Sequence, residues 1–450
     1  MKLVLAGGTV ITKVGQGIEV LDADVTIEGG EVAAVGSGRR EGAVIDCSGC
    51  LVIPGNVCAH THLYSALARG MPYRLEPPEN FLQILQRVWW RLDRALDEDS
   101  IRASALVGGM EALLSGTTMV VDHHASPRAI EGSLDLIADA LQGLGVRSIL
   151  AYEVSDRDGP ERAAAGIAEN RRFLERPGGR LARGMVGAHA SFTLSDGTLA
   201  GCVEVARDAG TGVHIHVGED QADQADSQAR FGKRVVPRLV EAGALSDRSL
   251  AAHCVHLDAD EVALLHDTGT VVAHNARSNM GNRVGRMASP VNGRATTLGT
   301  DGIGADMFAE SRAAYWRGRE DGWPADPAWA LGMLQNGGVL LGRSFKGGFD
   351  MPGLHDWIGS INPGSLADVV VLDYQSPAPL RPGTFGGHWM FGLSSRHVRD
   401  VIVDGEIVVR DRRLTKADQD EIAAKASVEA ARLWERMDAI PPHPFTPEGA

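Results

Sequence analysis

The stretch Pro54-Gly55-Asn56-Val57-Cys58-Ala59-His60-Thr61-His62 joins a short apolar strand to two histidines that stand two residues apart. In an extended strand, side chains two residues apart leave the same face, so both imidazoles point the same way. Two imidazoles placed like this suit one metal ion at about 2.0–2.1 Å. Taken alone, the pair also fits two ordinary polar residues, so the metal interpretation depends on the rest of the chain.

Seven further segments share this plan of a short apolar run that ends in polar residues. With the first, they cover residues 52–62, 117–122, 147–153, 184–189, 212–216, 249–253, 270–274 and 296–301. Helix-like patterns lie between them. Eight strand-then-helix units predict an α/β fold of the (β/α)8, TIM-like barrel type. A doubly wound parallel sheet is less well supported, because no glycine-rich phosphate loop follows a strand.

The polar residues at the predicted strand ends are rich in metal-ligand types. In chain order they are His60 and His62, then Asp122, His123 and His124, then Glu153, His189, His214, His216 and Glu219, and finally His253, His274 and Asp301. In a barrel these ends converge on one mouth, where active sites are built. Imidazole and carboxylate ligands without thiolates suit zinc, or iron or manganese.

Both ends of the chain differ from this alternating middle and read as short strands with turns. We therefore predict a small β-sandwich built from residues 1–56 and 357–412, around a barrel at 57–356. The Ala-, Glu- and Arg-rich stretch Lys416–Met437 predicts a helix, within a C-terminal helical tail that we place at 413–450.

Composition limits the classes of function. The chain has 450 residues and a formal net charge of -14, which argues against nucleic acid as a main partner. No run of about 18 apolar residues is present, so we expect no membrane-spanning segment. Five cysteines do not make a disulfide framework, which predicts a reducing, cytoplasmic location. For Cys47-x-x-Cys50 and for Trp89-Trp90 we favour packing roles over redox or base-binding roles.

Several motifs together resemble one known family. Residues 54–62 look like the strand-one signature of the amidohydrolase superfamily, and its later motifs are matched in order by residues 216–219, 253–257, 299–302 and 364–372. The subgroup resembles the chlorohydrolase and aminohydrolase branch, which includes cytosine, guanine and triazine deaminases. Residues 89–97, 122–127 and 274–280 are most similar to the SsnA-type aminohydrolases.

The resemblance implies a role for each matching residue. It implies metal ligands at His60, His62, His216 and Asp301. It implies catalytic roles for Glu219, as the proton shuttle, and for His253, which would hold the attacking water, with Asp301 counted among the catalytic groups. Substrate contacts are expected from a further set: His189, Arg277, Asn279, Glu153 and His124.

Hydrolytic deamination of an amino-substituted nitrogen heterocycle, with water as co-substrate, is the function we predict. Opening of a cyclic amide ring is the alternative reaction, and a non-catalytic metal-binding regulator is the alternative class. We expect one divalent ion per chain, zinc first and iron or manganese next. No lysine occurs from Val14 to Gly232, which excludes a metal pair bridged by a strand-four lysine but leaves a bridge through Glu153 open. A homo-oligomer is also expected.

Overall fold

The computed structural model describes residues 2–12, 17–38, 41–176, 179–287, 295–345 and 358–449. Its strands, in chain order, are β1 Lys2–Thr12, β2 Glu19–Glu28, β3 Glu31–Gly36, β4 Ala43–Asp46, β5 Leu51–Pro54, β6 Asn56–Thr61, β7 Thr117–His124, β8 Arg147–Tyr152, β9 Ala182–Gly184, β10 Val186–Ala190, β11 Val213–Val217, β12 Leu250–His253, β13 Val271–His274, β14 Thr296–Leu298, β15 Val369–Leu372, β16 Val398–Val403, β17 Glu406–Arg410 and β18 Arg413–Leu414.

Helices fill most of the connections between the barrel strands, and the last two helices of the chain lie among and after the C-terminal strands. They are α1 Phe81–Ile84, α2 Trp90–Ala95, α3 Glu98–Leu114, α4 Ser133–Leu144, α5 Pro160–Leu174, α6 Asp196–Asp208, α7 Gln221–Phe231, α8 Val235–Glu241, α9 Ala259–Thr268, α10 Ala276–Gly281, α11 Met307–Glu320, α12 Pro327–Gly342, α13 Pro382–Phe391 and α14 Gln419–Asp438. A π-helical turn, Leu85–Trp89, joins α1 to α2. No helix of the described ranges has the length and apolar character needed to cross a membrane.

The middle of the chain forms a closed barrel of parallel strands. Strands β6 to β9 pair in sequence, as do β10 to β14. Isolated parallel bridges, Thr61 with Asp301 and Val154 with Ala188, join the two sheets at both seams. The fourth barrel strand is split, so that β9 pairs with β8 and β10 pairs with β11. Every one of the eight predicted strands is present, and the predicted α/β barrel is confirmed.

Burial on both faces explains the sequence of these strands. Every residue of β7 and β8 is buried, because helices cover the outside and side chains fill the inside. Strands covered on both faces need apolar residues throughout, and polar residues are placed at their carboxyl ends, where they face the mouth.

Strands from both ends of the chain join in one nine-stranded sheet, in which β15 pairs with β5 and β5 with β1. This sheet has its own apolar core, to which Val25, Val52 and Val369 belong. Arg147 of the barrel ties it down through two hydrogen bonds to Asp368, with both side chains buried. The domain boundaries at 56 and 412 stay predictions, and the boundary at 356/357 lies outside the described residues.

The C-terminal tail is less helical than predicted. The helix α14 covers Gln419–Asp438, whereas Arg413 and Leu414 form strand β18. Residues 441–449 contain no helix, because this stretch has four prolines, which lack the N–H donor that a helix requires and restrict the residue before them. The prediction of one helical tail over 413–450 is therefore corrected to a single helix with a non-helical segment after it.

Candidate metal centre and active site

Four side chains meet at the carboxyl end of the barrel. They are His60 of β6, His62 directly after β6, His216 of β11 and Asp301 after β14. Asp301 Oδ1 lies 3.1 Å from His62 Nε2 and 3.5 Å from His60 Nε2. His62 Nε2 lies 3.2 Å from His216 Nε2. Tetrahedral ligands at about 2.1 Å from a metal stand about 3.4 Å from one another. The four donor atoms therefore have the spacing that one small divalent cation requires.

The outward nitrogens of two of these histidines are fixed by backbone carbonyls. His62 Nδ1 donates to the carbonyl of His123 at 2.6 Å. His216 Nδ1 donates to the carbonyl of His189 at 2.8 Å. Such hydrogen bonds select the tautomer in which Nε2 carries the free lone pair, and they hold the ring in place for a metal.

His60 is fully buried, and its charge state also fits a metal ligand. Its Nδ1 lies 2.8 Å from His214 Nε2, while its Nε2 has no hydrogen-bond partner within the described part of the chain. Burial lowers the pKa of His60 to about 4, so the ring is neutral at pH 7, as ligation requires. Burial also lowers the pKa of His62, but Asp301 outweighs it and raises that pKa to about 9. The Asp301 carboxylate, whose side chain is 15% exposed, therefore favours a positive charge beside it, which a divalent cation would supply.

Glu219 and His253 form an acid–base pair beside this centre. His253 Nε2 lies 3.5 Å from Glu219 Oε2. The Glu219 side chain is 13% exposed and faces the cavity above the metal-ligand cluster. Burial, together with the charge of Asp301, raises the pKa of Glu219 well above its usual value. A carboxyl group in this position can hold and release a proton next to a bound substrate.

The short helix α10 and the residue after it support the whole centre. Three of their polar side chains each contact one of the groups described above. These contacts are Ser278 Oγ donating to Asp301 Oδ2, His253 Nδ1 donating to Asn279 Oδ1 at 2.8 Å, and Asn282 Nδ2 donating to Glu219 Oε1 at 3.5 Å. One short helix and the residue after it thereby contact Asp301, His253 and Glu219, the candidate metal ligand, water-holding histidine and proton shuttle.

Two of the central residues have unusual backbone conformations. His253 has a φ of 72° and Asp301 a φ of 53°, both in the left-handed region. Each such residue costs about 1–3 kcal/mol, and strain of this kind concentrates at functional sites. The strain at both strand ends aims these side chains into the mouth.

Above the candidate ligands lies a cavity that is open to solvent. His62, His216, Glu219 and Asp301 form its floor. One wall is apolar and is made by Phe81, Leu85, Trp89, Trp90 and Phe192. The π-helical turn carries part of this wall, in keeping with the frequent occurrence of such turns at functional sites.

Beside this wall the cavity has a polar part, organised by one buried arginine, Arg157, whose guanidinium lies 5.5 Å from the centre of the Trp90 ring. Arg157 donates to Glu153 Oε1 and to Asp93 Oδ2, both at 2.9 Å. Asp93 Oδ1 has no hydrogen-bond partner within the residues described. His189 Nε2 stands 3.9 Å from Glu153 Oε1. The cavity therefore offers acceptor oxygens and an imidazole to a polar part of a substrate.

The predicted substrate contacts divide into two groups. His189 and Glu153 line the cavity. Asn279 lies behind His253 and contacts it rather than the cavity. His124 points away from the mouth, with Nε2 on Ser126 Oγ at 2.9 Å.

Arg277 also lies outside the cavity, contrary to the expectation that it contacts substrate. Its guanidinium donates to the buried carboxylate of Glu310 and, at 2.9 Å, to the carbonyl of Gly304. The buried carboxylate needs a charged partner, and Arg277 begins α10 directly opposite α11, which carries Glu310.

His123, rather than His124, points into the barrel, but neither of the two lines the cavity. The His123 ring stacks on His214 with centroids 4.4 Å apart, and Nδ1 lies 3.5 Å from Glu153 Oε2. Neighbouring residues on a strand face opposite ways, so only one of the pair can point inward.

Sequence reasoning did not select Asp93, Arg157 or Asn282, and it named Ser278 only within the motif at residues 274–280. Asp93 lies in the stretch 89–97, which carried part of the family resemblance and so gave a signal. Arg157 follows Glu153 by one helical turn's spacing, and Ser278 lies between the two residues that we did select.

Comparisons with known proteins identify the family of the chain. The family model described as the amidohydrolase family matches residues 51–340. The chain is 32% identical to the 5-methylthioadenosine/S-adenosylhomocysteine deaminase of Symbiobacterium thermophilum, over 96% of this chain and 99% of that relative. It is 30% identical to the 5'-deoxyadenosine deaminase of Methanopyrus kandleri, over 85% of this chain and 86% of that relative.

Solved structures share the fold over nearly the full length. An adenosine deaminase from Xanthomonas campestris with bound zinc superposes with a TM-score of 0.82 at 24% identity, covering 97% of this chain and 99% of that one. The zinc complex of atrazine chlorohydrolase from Arthrobacter aurescens has a TM-score of 0.78 at 23% identity, covering 95% and 100%.

These findings confirm the predicted resemblance to the aminohydrolase branch and the prediction of a metal-dependent hydrolase that acts on C–N bonds. The chain belongs to the amidohydrolase family.

Proposed function

We propose that this protein removes the amino group of an adenine-type nucleoside, with one divalent ion, zinc, held by His60, His62, His216 and Asp301. When bound, the ion lowers the pKa of a coordinated water and so supplies a nucleophile near neutral pH. Two overlapping groups support this ligand set, because the ligand atoms within each group lie within 4.8 Å of one another. One group is His60, His62, His123 and His216, and the other is His60, His216, His253 and Asp301. Deamination of a nitrogen heterocycle is also the reaction named for the relatives with the highest identity given above.

A single ion is favoured over a pair. The chain has no lysine from residue 14 to residue 232 that could bridge two metals. The remaining candidate bridge, Glu153, already accepts a hydrogen bond from Arg157 at 2.9 Å. A second cation beside that guanidinium would be repelled, so Glu153 suits a substrate-facing role better than a bridging one.

The observation that carries the proposed reaction is the position of Glu219, between His253, Asp301 and the cavity. Glu219 accepts a proton from the attacking water and donates it to the ring nitrogen as the tetrahedral intermediate forms. Glu219 then takes the remaining proton of the added hydroxyl and donates it to the amino group, so that a C=O bond forms, the C–N bond breaks and ammonia leaves. His253, held by Asn279, keeps its Nε2 directed at the place of attack.

The cavity also suggests how a nucleoside would lie. The aromatic and aliphatic wall suits the flat base, and His189 contacts the ring. The polar part of the cavity contains Glu153 and the Asp93 Oδ1 atom, which has no hydrogen-bond partner among the described residues. This part suits hydroxyl or amino donors of the substrate. Relatives named for 5-methylthioadenosine, S-adenosylhomocysteine and 5'-deoxyadenosine support a nucleoside over a free base.

The test is a screen of the zinc-loaded protein against adenosine, 5'-methylthioadenosine, 5'-deoxyadenosine, guanine, cytosine, a triazine and hydantoin. Ammonia release and ring opening are measured separately. We expect ammonia from at least one adenine nucleoside, and a loss of about 10²–10⁴-fold in Glu219→Gln with the metal content unchanged. Glu131→Gln, at an exposed glutamate, serves as the matched control.

Ring opening without ammonia would replace deamination by cyclic amide hydrolysis. Binding without turnover of any compound would favour the regulator that the sequence left as an alternative. Full activity in Glu219→Gln would remove the proposed shuttle, whatever the substrate.

We propose in addition that the chain is cytoplasmic, that it forms a homo-oligomer, and that the nine-stranded sheet closes into a small β-sandwich. Five free, buried cysteines are consistent with a reducing compartment. Light scattering at micromolar concentration tests the assembly, and a monomeric mass would contradict it.

A further inference from the structure

The segment that follows α14, residues 441–449, crosses one side of the active-site mouth; we call it the C-terminal strap. Two reciprocal hydrogen bonds bind the strap to the π-helical turn between α1 and α2. The backbone N–H of His443 donates to the carbonyl of Gln86 at 2.9 Å, and Gln86 Nε2 donates to the carbonyl of Phe445 at 2.7 Å. Gln86 lies in the π-helical turn Leu85–Trp89, which carries part of the apolar wall.

A buried arginine fixes the point at which the strap begins. Arg91 Nε donates to the carbonyl of Ile440 at 2.6 Å, and Arg91 Nη2 donates to the carbonyl of Met437 at 2.8 Å. These are carbonyls at and just beyond the carboxyl end of α14, where a cation is favoured by unpaired backbone oxygens. Arg91 of α2 therefore sets the direction in which the strap leaves α14.

Two strap side chains pack directly behind the cavity wall. The His443 ring lies 5.1 Å from the Trp90 ring, measured between centroids. The Phe445 ring lies 5.8 Å from Trp90 and 6.3 Å from Phe192. Trp90 and Phe192 both line the cavity, so the strap forms a second layer behind the surface that would contact a substrate.

The far end of the strap contacts a second element that supplies cavity-lining residues, α7. The backbone N–H of Glu448 donates to Asp226 Oδ1 of α7 at 2.8 Å. The same helix carries Asp223, whose carboxylate accepts hydrogen bonds from the backbone of Phe192 and Gly218. The strap thus connects the π-helical turn and α2 to α7.

We propose that the C-terminal strap determines the shape of the substrate cavity, with His443 and Phe445 as positioning residues that hold Trp90 and Phe192 in place. This proposal rests on the proposed function, because it takes the cavity to be the substrate site. The two residues touch neither the metal ligands nor Glu219, so their effect falls on substrate binding rather than on the chemical step. A segment that only stabilised the fold would not change KM while leaving kcat unchanged.

Phe445→Ala and His443→Ala test the proposal, with Thr446→Ala as the control at an exposed position of the same strap. For the most active nucleoside of the screen, we expect KM to rise about tenfold in Phe445→Ala, because aromatic contacts of this kind are worth up to about one tenfold step in affinity. We expect kcat to stay within about twofold and zinc content to be unchanged. Phe445→Leu should recover most of the loss.

Hydrogen exchange gives a readout that does not depend on turnover. Amides of residues 81–95 should exchange faster in Phe445→Ala than in Thr446→Ala, while those of 276–281 stay protected. Unchanged exchange at 81–95, or kinetic constants equal to those of Thr446→Ala, would overturn the proposal. If the parent protein releases no ammonia from any compound, the proposed function fails, and the exchange comparison alone decides on the strap.

Discussion

The hydroxyl of Ser278 donates a hydrogen bond to Asp301 Oδ2, while the other oxygen of that carboxylate, Oδ1, faces His60 and His62. The two oxygens of Asp301 thus have different tasks, and Ser278 fixes which one is directed at the metal-ligand cluster. Partners of this kind, one layer outside the ligands, commonly tune metal affinity.

Replacing Ser278 by alanine should therefore weaken metal binding without unfolding the protein. We expect a loss of about 10–100-fold in zinc affinity, because the Asp301 carboxylate becomes free to rotate. Competition with a chromogenic chelator measures the affinity. Ser344→Ala, which removes a buried hydroxyl that donates to the carbonyl of Leu341 at 2.8 Å, is the control. Equal zinc affinity in both variants would show that Ser278 does not position the ligand.

Asn279→Ala should lower kcat and leave the metal in place. Asn279 accepts the Nδ1 proton of His253 at 2.8 Å and so fixes the direction of His253 Nε2. We expect kcat to fall about tenfold or more, as for other supporting hydrogen bonds, with KM little changed. Met280→Ala, on the exposed side of the same helix, should behave like the parent protein. A rise in KM alone would instead favour direct substrate contact by Asn279.

Arg277→Ala should reduce stability rather than substrate affinity. It leaves the buried Glu310 carboxylate without its guanidinium, which typically costs about 3–5 kcal/mol. Thermal unfolding measures the loss, and KM of the folded variant should stay unchanged. A paired Arg277→Met, Glu310→Leu variant should recover much of the stability, since no charge is then left unpaired. A large KM increase at unchanged stability would restore Arg277 as a substrate contact.

The sequence was sufficient to predict the barrel and the central residues for one physical reason. The carboxyl ends of the parallel strands meet at one mouth, so His60, His216 and Asp301 must come close once the strands are recognised. Glu219 follows His216 by three residues and remains on the same side. None of these inferences requires knowledge of side-chain packing.

The outer parts of the site depend on packing between distant elements and could not be predicted in that way. Strand alternation requires one of His123 and His124 to point inward, but the choice depends on how β7 is rotated in the barrel. Arg277 pairs with Glu310 because α10 packs on α11, a contact between residues 33 positions apart. The strap reaches Trp90 from more than 350 residues away, and no local pattern encodes that contact.

The most direct measurement of the central claim is reactivation of metal-stripped protein by zinc. Stripped protein receives increasing equivalents of zinc, and ammonia release from the best nucleoside is followed together with bound metal. A rise in activity that is linear and ends at one equivalent per chain is the result we predict, with no rise in Asp301→Ala. Activity that persists without metal, or that requires two equivalents, would contradict a single ion held by His60, His62, His216 and Asp301.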